Sequence, residues 1–266
     1  MKHDPGKTDW IRSFYESAVQ WWGESWYDGE NLQERLHRLN ACVPEGRRTI
    51  LELGAGTGET ALFLAEHGYT VTAVDLSPAN IALIQKAAHP AVRAVEGNFL
   101  TVPLAGTFDA VCLFETFGMG SDADQHRLLE RIRQEWLAQD GCVLMDVYHP
   151  FGPIRQSGTQ QTLDRLPQVP GSVDMTEYSY YDGFTNRWID IWEPIHAPEE
   201  RRVQSIRCYT PADLLLLLQG TGLQVSAWYH LGKRFDDAPE LIHEHNRFDD
   251  FSQTYTYSVV LRRDAA

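Results

Sequence analysis

Leu51-Glu52-Leu53-Gly54-Ala55-Gly56-Thr57-Gly58 is the stretch on which the fold turns. Thr49-Ile50-Leu51-Glu52-Leu53 is a short aliphatic run of the kind that makes a buried strand. It opens directly into three glycines at alternate positions. Glycine tolerates positive φ and lets a ligand come close to the backbone. In open parallel sheets, turns of this kind face the crevice at the carboxyl ends of the strands.

The pattern extends outward on both sides. Residues 59–67 read as a helix that stops at Gly68, and 69–74 as a second strand. Ser77-Pro78 is a helix start, a capping hydroxyl followed by proline at the first helical position. That helix ends before Pro90. Strands are expected at 92–95, 108–114 and 142–148, with a helix at 124–137 and a turn at Asp140-Gly141. Strands alternating with helices imply a parallel sheet with right-handed crossovers. Upstream, Thr8-Asp9 caps an aromatic-rich helix through about Trp22, and a second helix covers 31–40. After His149 the rhythm is lost. Residues 150–171, rich in Pro, Gly and Gln, read as a long loop. Stretches 175–181, 187–193 and 203–209 follow with no helix between them, which predicts an inserted antiparallel sheet. Thr210-Pro211 restarts a helix, and 223–230 and 254–262 read as the last strands. No element is assigned to 239–251.

The glycine spacing discriminates between ligands. In the dinucleotide fingerprint G-x-G-x-x-G, the third glycine would fall on Glu59. An acidic residue there also faces a pyrophosphate unfavourably at a helix N-terminus. No Gly-Lys-Ser/Thr follows, which excludes a P-loop.

A G-x-G-x-G turn preceded by an acidic residue resembles motif I of the class I S-adenosylmethionine-dependent methyltransferases. The resemblance continues through Val74-Asp75-Leu76-Ser77, Glu96-Gly97-Asn98-Phe99, Phe108-Asp109-Ala110-Val111, Phe114-Glu115-Thr116-Phe117 and Asp140-Gly141-Cys142-Val143-Leu144. It covers residues 48–147, and 210–225 resembles the family's later helix and strand. It implies S-adenosyl-L-methionine as cofactor and S-adenosyl-L-homocysteine as product. It implies an α/β, Rossmann-like, doubly wound, mostly parallel seven-stranded sheet with an N-terminal helical lid (1–45). The methyltransferase core is expected over 46–266, with residues 150–210 inserted as a substrate cap.

The resemblance also implies roles. Asp75, 21 residues after Gly54, would accept hydrogen bonds from the ribose hydroxyls. Asn98 departs from the aspartate often found at its position, but its amide oxygen can still accept from the adenine amino group, and Phe99 could lie against the ring. Glu52, Gly54, Gly56, Thr57, Gly58, Leu76 and Phe114 complete the expected cofactor set. Tyr15 and Trp22 join it if the first helix is a lid. Helical spacing of its aromatics equally fits a helix packed on the core. Catalytic candidates are His149, Tyr148 and Glu115, at strand ends where ligand crevices form. His149 could instead be a loop histidine, and Glu115 a capping or surface carboxylate. Trp26, Phe117 and Tyr180 are the candidate substrate contacts. The insert also carries Tyr178, Tyr181, Trp188 and Trp192.

Composition narrows the partners. The 266 residues have a formal charge of −14 and lack strong basic clusters. That argues against nucleic acid and anionic membrane and leaves a neutral or cationic small molecule. No run reaches the roughly 20 apolar residues of a membrane span, and the first residues show no apolar signal segment. Cys42, Cys112, Cys142 and Cys208 lie far apart, which fits reduced thiols in a cytoplasmic protein. No metal is expected: His243-Glu244-His245 with Asp249 and Asp250 reads as a solvated polar segment. The insert offers an edge strand through which a homodimer could form. Altogether the sequence points to methylation of nitrogen or oxygen on a small molecule of specialised, natural-product metabolism. Its layout is similar to that of amino-sugar N-methyltransferases. A non-catalytic S-adenosylmethionine-binding protein and a nicotinamide oxidoreductase are the alternatives.

Overall fold

A computed structural model describes residues 9–22, 29–165, 172–236 and 253–264. The quoted stretch is strand β1 (Thr49–Leu53), its turn, and helix α3 (Glu59–Glu66). Before it come α1 (Asp9–Trp22) and α2 (Gly29–Cys42). After it come β2 (Thr70–Asp75), α4 (Pro78–Ala87), β3 (Val92–Glu96), β4 (Phe108–Phe117), α5 (Asp122–Arg131) and β5 (Leu137–Tyr148). The proposed helix start is present: Ser77 Oγ accepts the Asn80 N–H at 3.4 Å, and Pro78 opens α4.

The expected helix over 124–137 divides differently. A π-helical turn, Ile132–Trp136, follows α5, and β5 already begins at Leu137. The stretch read as a long loop also carries structure, α6 (Phe151–Gln156) and β6 (Thr159–Leu163). Then follow β7 (Met175–Asp182), β8 (Arg187–Pro194), β9 (Arg202–Arg207), α7 (Pro211–Leu218), β10 (Leu223–His230), β11 (Lys233–Phe235) and β12 (Thr256–Arg263). The segment 239–251, with His243, Glu244, His245, Asp249 and Asp250, lies outside the described residues, as do Trp26 and the side chain of Trp22.

The main sheet has the order β11-β10-β12-β5-β4-β1-β2-β3. Strands β1 to β5 run parallel and β12, β10 and β11 antiparallel. Seven strands were expected; the three-residue β11 adds an eighth at the edge. β1 and β4 flank the point where the strand order reverses, which is where open sheets bind ligands. Both faces of the sheet are buried. Leu51, Leu53, Val111, Leu113 and Trp136 anchor one side; Ile50, Leu64, Val71, Cys112 and Leu144 anchor the other. α2 is fastened to the sheet by an ion pair between Arg38 and Asp146 at 3.1 Å, both buried.

The second sheet, β6-β7-β8-β9, is antiparallel, and α1 packs against β9. Two capping boxes fix the elements beside it. Ser121 with Asp124 starts α5, and Thr210 with Asp213 starts α7. Among the described residues no helix is long and apolar enough to cross a membrane.

Candidate functional site

One cleft of about 460 Å³ lies over the carboxyl ends of β1, β2 and β4, beneath α1 and the inserted sheet. That is within the usual size of a small-molecule site. Its floor is the glycine turn. Gly54 sits at φ +74°, where a Cβ would come within 2.5 Å of the Thr116 side chain, so only glycine fits. A Cβ on Gly56 would meet no atom within 4 Å: the backbone there borders open space. Thr57 also lines the cleft, whereas Gly58 lies behind it against Ile84.

Asp75 ends β2 beside this turn and is buried. Its carboxylate accepts from Gly56 N–H at 2.8 Å, Ser77 N–H at 2.8 Å and Asn80 Nδ2 at 3.0 Å. The carboxylate also borders the cleft, where a ligand hydroxyl can share one of its oxygens. Burial raises its carboxyl above the usual range, and donors from Ser77, Asn80, Gly56 and the Leu76 backbone oppose the rise.

Glu52 is 3% exposed and borders the same cleft. Its Oε2 has no hydrogen-bond partner. Burial pushes its carboxyl up to about 8, with Asp75 adding to the rise and the Arg35 guanidinium opposing it. A buried acid with an unused oxygen suits a ligand that brings donors and positive charge.

Arg35, which no sequence motif singles out, holds one wall. It is 3% exposed and donates to Thr60 Oγ1 at 2.7 Å and Glu115 Oε1 at 3.0 Å. Its guanidinium lies 4.7 Å from the Phe114 ring centre. Glu115 stands at φ +53°, inside a register shift between Leu113 and Phe117 where β4 bulges away from β5. Bulges re-aim side chains beside sites. Here Phe114, Glu115 and Thr116 all reach the cleft.

The same bulge corrects one expectation. Phe117 does not face the cleft; it is buried and packs against Tyr209, ring centres 5.5 Å apart. Tyr180 is a second correction. Residues 177 and 179 on β7 are buried, so the pleat turns Tyr180 to the other face, 44% exposed. Asn98 is a third. It is absent from the lining, and its Oδ1 accepts the Leu100 N–H at 2.8 Å.

His149 is the fourth correction. It is fully buried outside the cleft, with Nε2 3.0 Å from Thr254 Oγ1 and Nδ1 accepting the Phe151 N–H at 3.3 Å. Burial, and then His230, push its pKa down to about 3. Such a ring is neutral at pH 7 but has no access to a substrate in the cleft. Tyr148, one residue earlier, does border the cleft, its hydroxyl 3.5 Å from the Glu115 carbonyl.

Tyr15, Leu76 and Phe99 also line the site, with Phe14 and Ile11 of α1. The roof is built from the inserted sheet: Glu177, Trp188, Asp190, Trp192 and Gln204. Trp188 and Trp192 stand out in the sequence as aromatics of the insert. Glu177 and Asp190 do not, although period-two alternation along β7 and β8 places them on the buried face.

Residues 50–141 match a family model described as a methyltransferase domain. A protein described as an uncharacterized methyltransferase, from Alkaliphilus oremlandii (strain OhILAs), is 30% identical over 188 residues, covering 70% of this chain and 86% of that one. A cypemycin N-terminal methyltransferase from a Streptomyces species is 32% identical over 160 residues, covering 51% of this chain and 65% of that one. The match thus spans less than two thirds of that relative's length. In fold, the CcbJ methyltransferase from Streptomyces caelestis aligns with a TM-score of 0.70 at 23% identity, covering 99% of this chain and 100% of that one.

Proposed function

The chain belongs to the class I S-adenosylmethionine-dependent methyltransferases, and on that premise we propose that it moves a methyl group to a nitrogen or oxygen atom of a small molecule. One observation carries the reading. The glycine turn, the ribose-type carboxylate Asp75 and the unpartnered Glu52 Oε2 border a single cleft roofed by the insert.

In this reading Gly54, Gly56 and Thr57 cradle the cofactor, and Asp75 takes a ribose hydroxyl. Leu76, Phe99 and Phe114 border its adenosyl part, and the Glu52 carboxyl takes donors at its amino-acid end. Bound S-adenosylmethionine would supply an electrophilic methyl carbon on a sulfonium. The protein's part is alignment and the exclusion of water. α1 with Tyr15 and the insert with Trp188 and Trp192 close the cleft from above. Tyr148 and Glu115 are the groups that could hold a proton near an acceptor; His149 is withdrawn from that role.

α1 as a lid and the inserted sheet as a roof over one cleft fit a small substrate, and with it specialised metabolism. A relative named as an N-terminal methyltransferase fits nitrogen as one acceptor. The four described cysteines are buried and free, which suits a reducing, cytoplasmic setting. A homodimer would form along β6, at the edge of the inserted sheet.

Calorimetric titration with S-adenosylmethionine, S-adenosylhomocysteine and NAD tests the assignment. Micromolar binding of the first two and none of the third is expected. Binding of NAD alone would reverse it. Tight cofactor binding without methylated product, across amine, phenol and acid panels, would leave a binding protein.

A further inference from the structure

The roof of the cleft is acidic. Glu177 on β7 and Asp190 on β8 both line it. Ser179 pairs with Asp190 and Glu177 with Trp192, so the two acids are diagonal neighbours on one face of the insert. Asp190 is 2% exposed and its Oδ1 has no hydrogen-bond partner. Burial and then the Glu177 charge push its carboxyl up to about 8, against the Ser179 hydroxyl and the Trp188 indole. Glu177 is 6% exposed, raised by burial, and takes a hydrogen bond from the Gln161 amide. Facing Asp190 from β9 is the neutral Gln204. Across the cleft, Arg12 of α1 is paired with Glu96 at 3.8 Å.

A buried carboxyl with an unused oxygen destabilises the fold. A second buried carboxyl beside it, Glu177, destabilises it further by like-charge repulsion. Neither takes part in the cofactor reading given above. A ligand that carries N–H donors and a positive charge relieves both costs, and the indoles of Trp188 and Trp192 in the same wall attract a cation. A hydroxyl ligand supplies one donor and no charge.

Resting on the methyl-transfer reading, we propose that the acceptor is an amine that enters as its ammonium, is held by Asp190 and Glu177, and yields its proton to Asp190. As the ammonium binds, its charge drives the proton held by the carboxyl pair out to water. The ammonium N–H then protonates Asp190, which frees the nitrogen lone pair. Nitrogen bonds to the methyl carbon as the carbon–sulfur bond breaks, and that electron pair stays on sulfur. The product leaves as a methylated ammonium, and one proton has been released in all.

The test uses two matched pairs, phenethylamine with phenethyl alcohol and cyclohexylamine with cyclohexanol. Binding is measured by calorimetry on protein saturated with S-adenosylhomocysteine, and product by mass spectrometry with S-adenosylmethionine. Each amine should bind at least tenfold tighter than its alcohol and be the methylated member. Asp190→Asn should abolish that preference and leave S-adenosylhomocysteine affinity unchanged. Glu177→Gln should reduce it, and serves alone if Asp190→Asn does not fold. Equal binding of both members, binding of neither, or a preference that survives the substitutions overturns the proposal. If S-adenosylhomocysteine fails to bind the unaltered protein, the methyltransferase reading falls instead; the amine preference is then read without it.

Discussion

Gly56 donates its backbone N–H to Asp75 Oδ2 at 2.8 Å, tying the glycine turn of β1 to the last residue of β2. The ligand-facing backbone and the carboxylate proposed to hold the ribose are thus one unit. Asp75→Ala should weaken S-adenosylhomocysteine binding by about 10- to 100-fold, since hydrogen bonds to charged groups contribute about 1.5–3 kcal/mol. Asp75→Asn should fall between, because one amide oxygen cannot serve all three donors. Calorimetry distinguishes the three proteins. Unchanged affinity in Asp75→Ala would remove the ribose assignment.

Gly54→Ala should destabilise the fold by about 1–3 kcal/mol, from left-handed backbone strain and the collision with Thr116. Adding Thr116→Ala relieves the collision but not the strain. Urea unfolding of the two single variants and the double should therefore show partial rescue. Full additivity would mean that the two residues do not meet.

Arg35→Leu removes the donor to Thr60 and Glu115 and the one cation that opposes the rise of the Glu52 carboxyl. Because Glu115 stays partly in water, losing this donor costs about 1–3 kcal/mol rather than the penalty of a fully buried pair. A lower unfolding midpoint is expected, together with a Glu52 carboxyl titrating at higher pH. NMR on protein with labelled glutamate reads the second effect, and a downward move would contradict it.

His149 is kept neutral in the fold. An unfolded histidine binds a proton near pH 6.5 that the folded one refuses until about 3. Stability is therefore complete above pH 6.5 and declines as pH falls toward 3, by up to about 1.4 kcal/mol per pH unit. His149→Asn should flatten that decline between pH 6.5 and 5 in thermal unfolding. It should leave kcat within about twofold, because the ring lies outside the cleft. A hundredfold loss of kcat in a folded variant would restore His149 as a catalytic candidate.

Asp190 titrates the other way. Folded, its carboxyl keeps a proton up to about pH 8, while the unfolded acid loses it near 4. Stability is present below pH 4 and falls as pH rises through that window. Asp190→Asn should thus gain stability relative to the unaltered protein between pH 5 and pH 9. A constant difference in melting temperature across that range would show that Asp190 is not buried in its charged form.

The glycine turn, the alternation of parallel strands with helices, the helix starts at Ser77 and Thr210 and the doubly wound class were legible in the chain itself. Each depends on local rules: alternation, glycine at positive φ, a hydroxyl before proline. Three-residue β11 and the short α6 and β6 escaped because they are too brief to set up a period. The faces of the site depended on tertiary structure. A bulge in β4 sends Glu115 to the cleft and Phe117 to the core, and nothing local to 113–117 announces it. The pleat of the insert points Asp190 inward and Tyr180 outward, which follows only once the sheet is laid over the glycine turn. Arg35 meets Glu115 across 80 residues of chain. Long-range pairs of this kind arise from packing, and packing decides which side chains a ligand would meet.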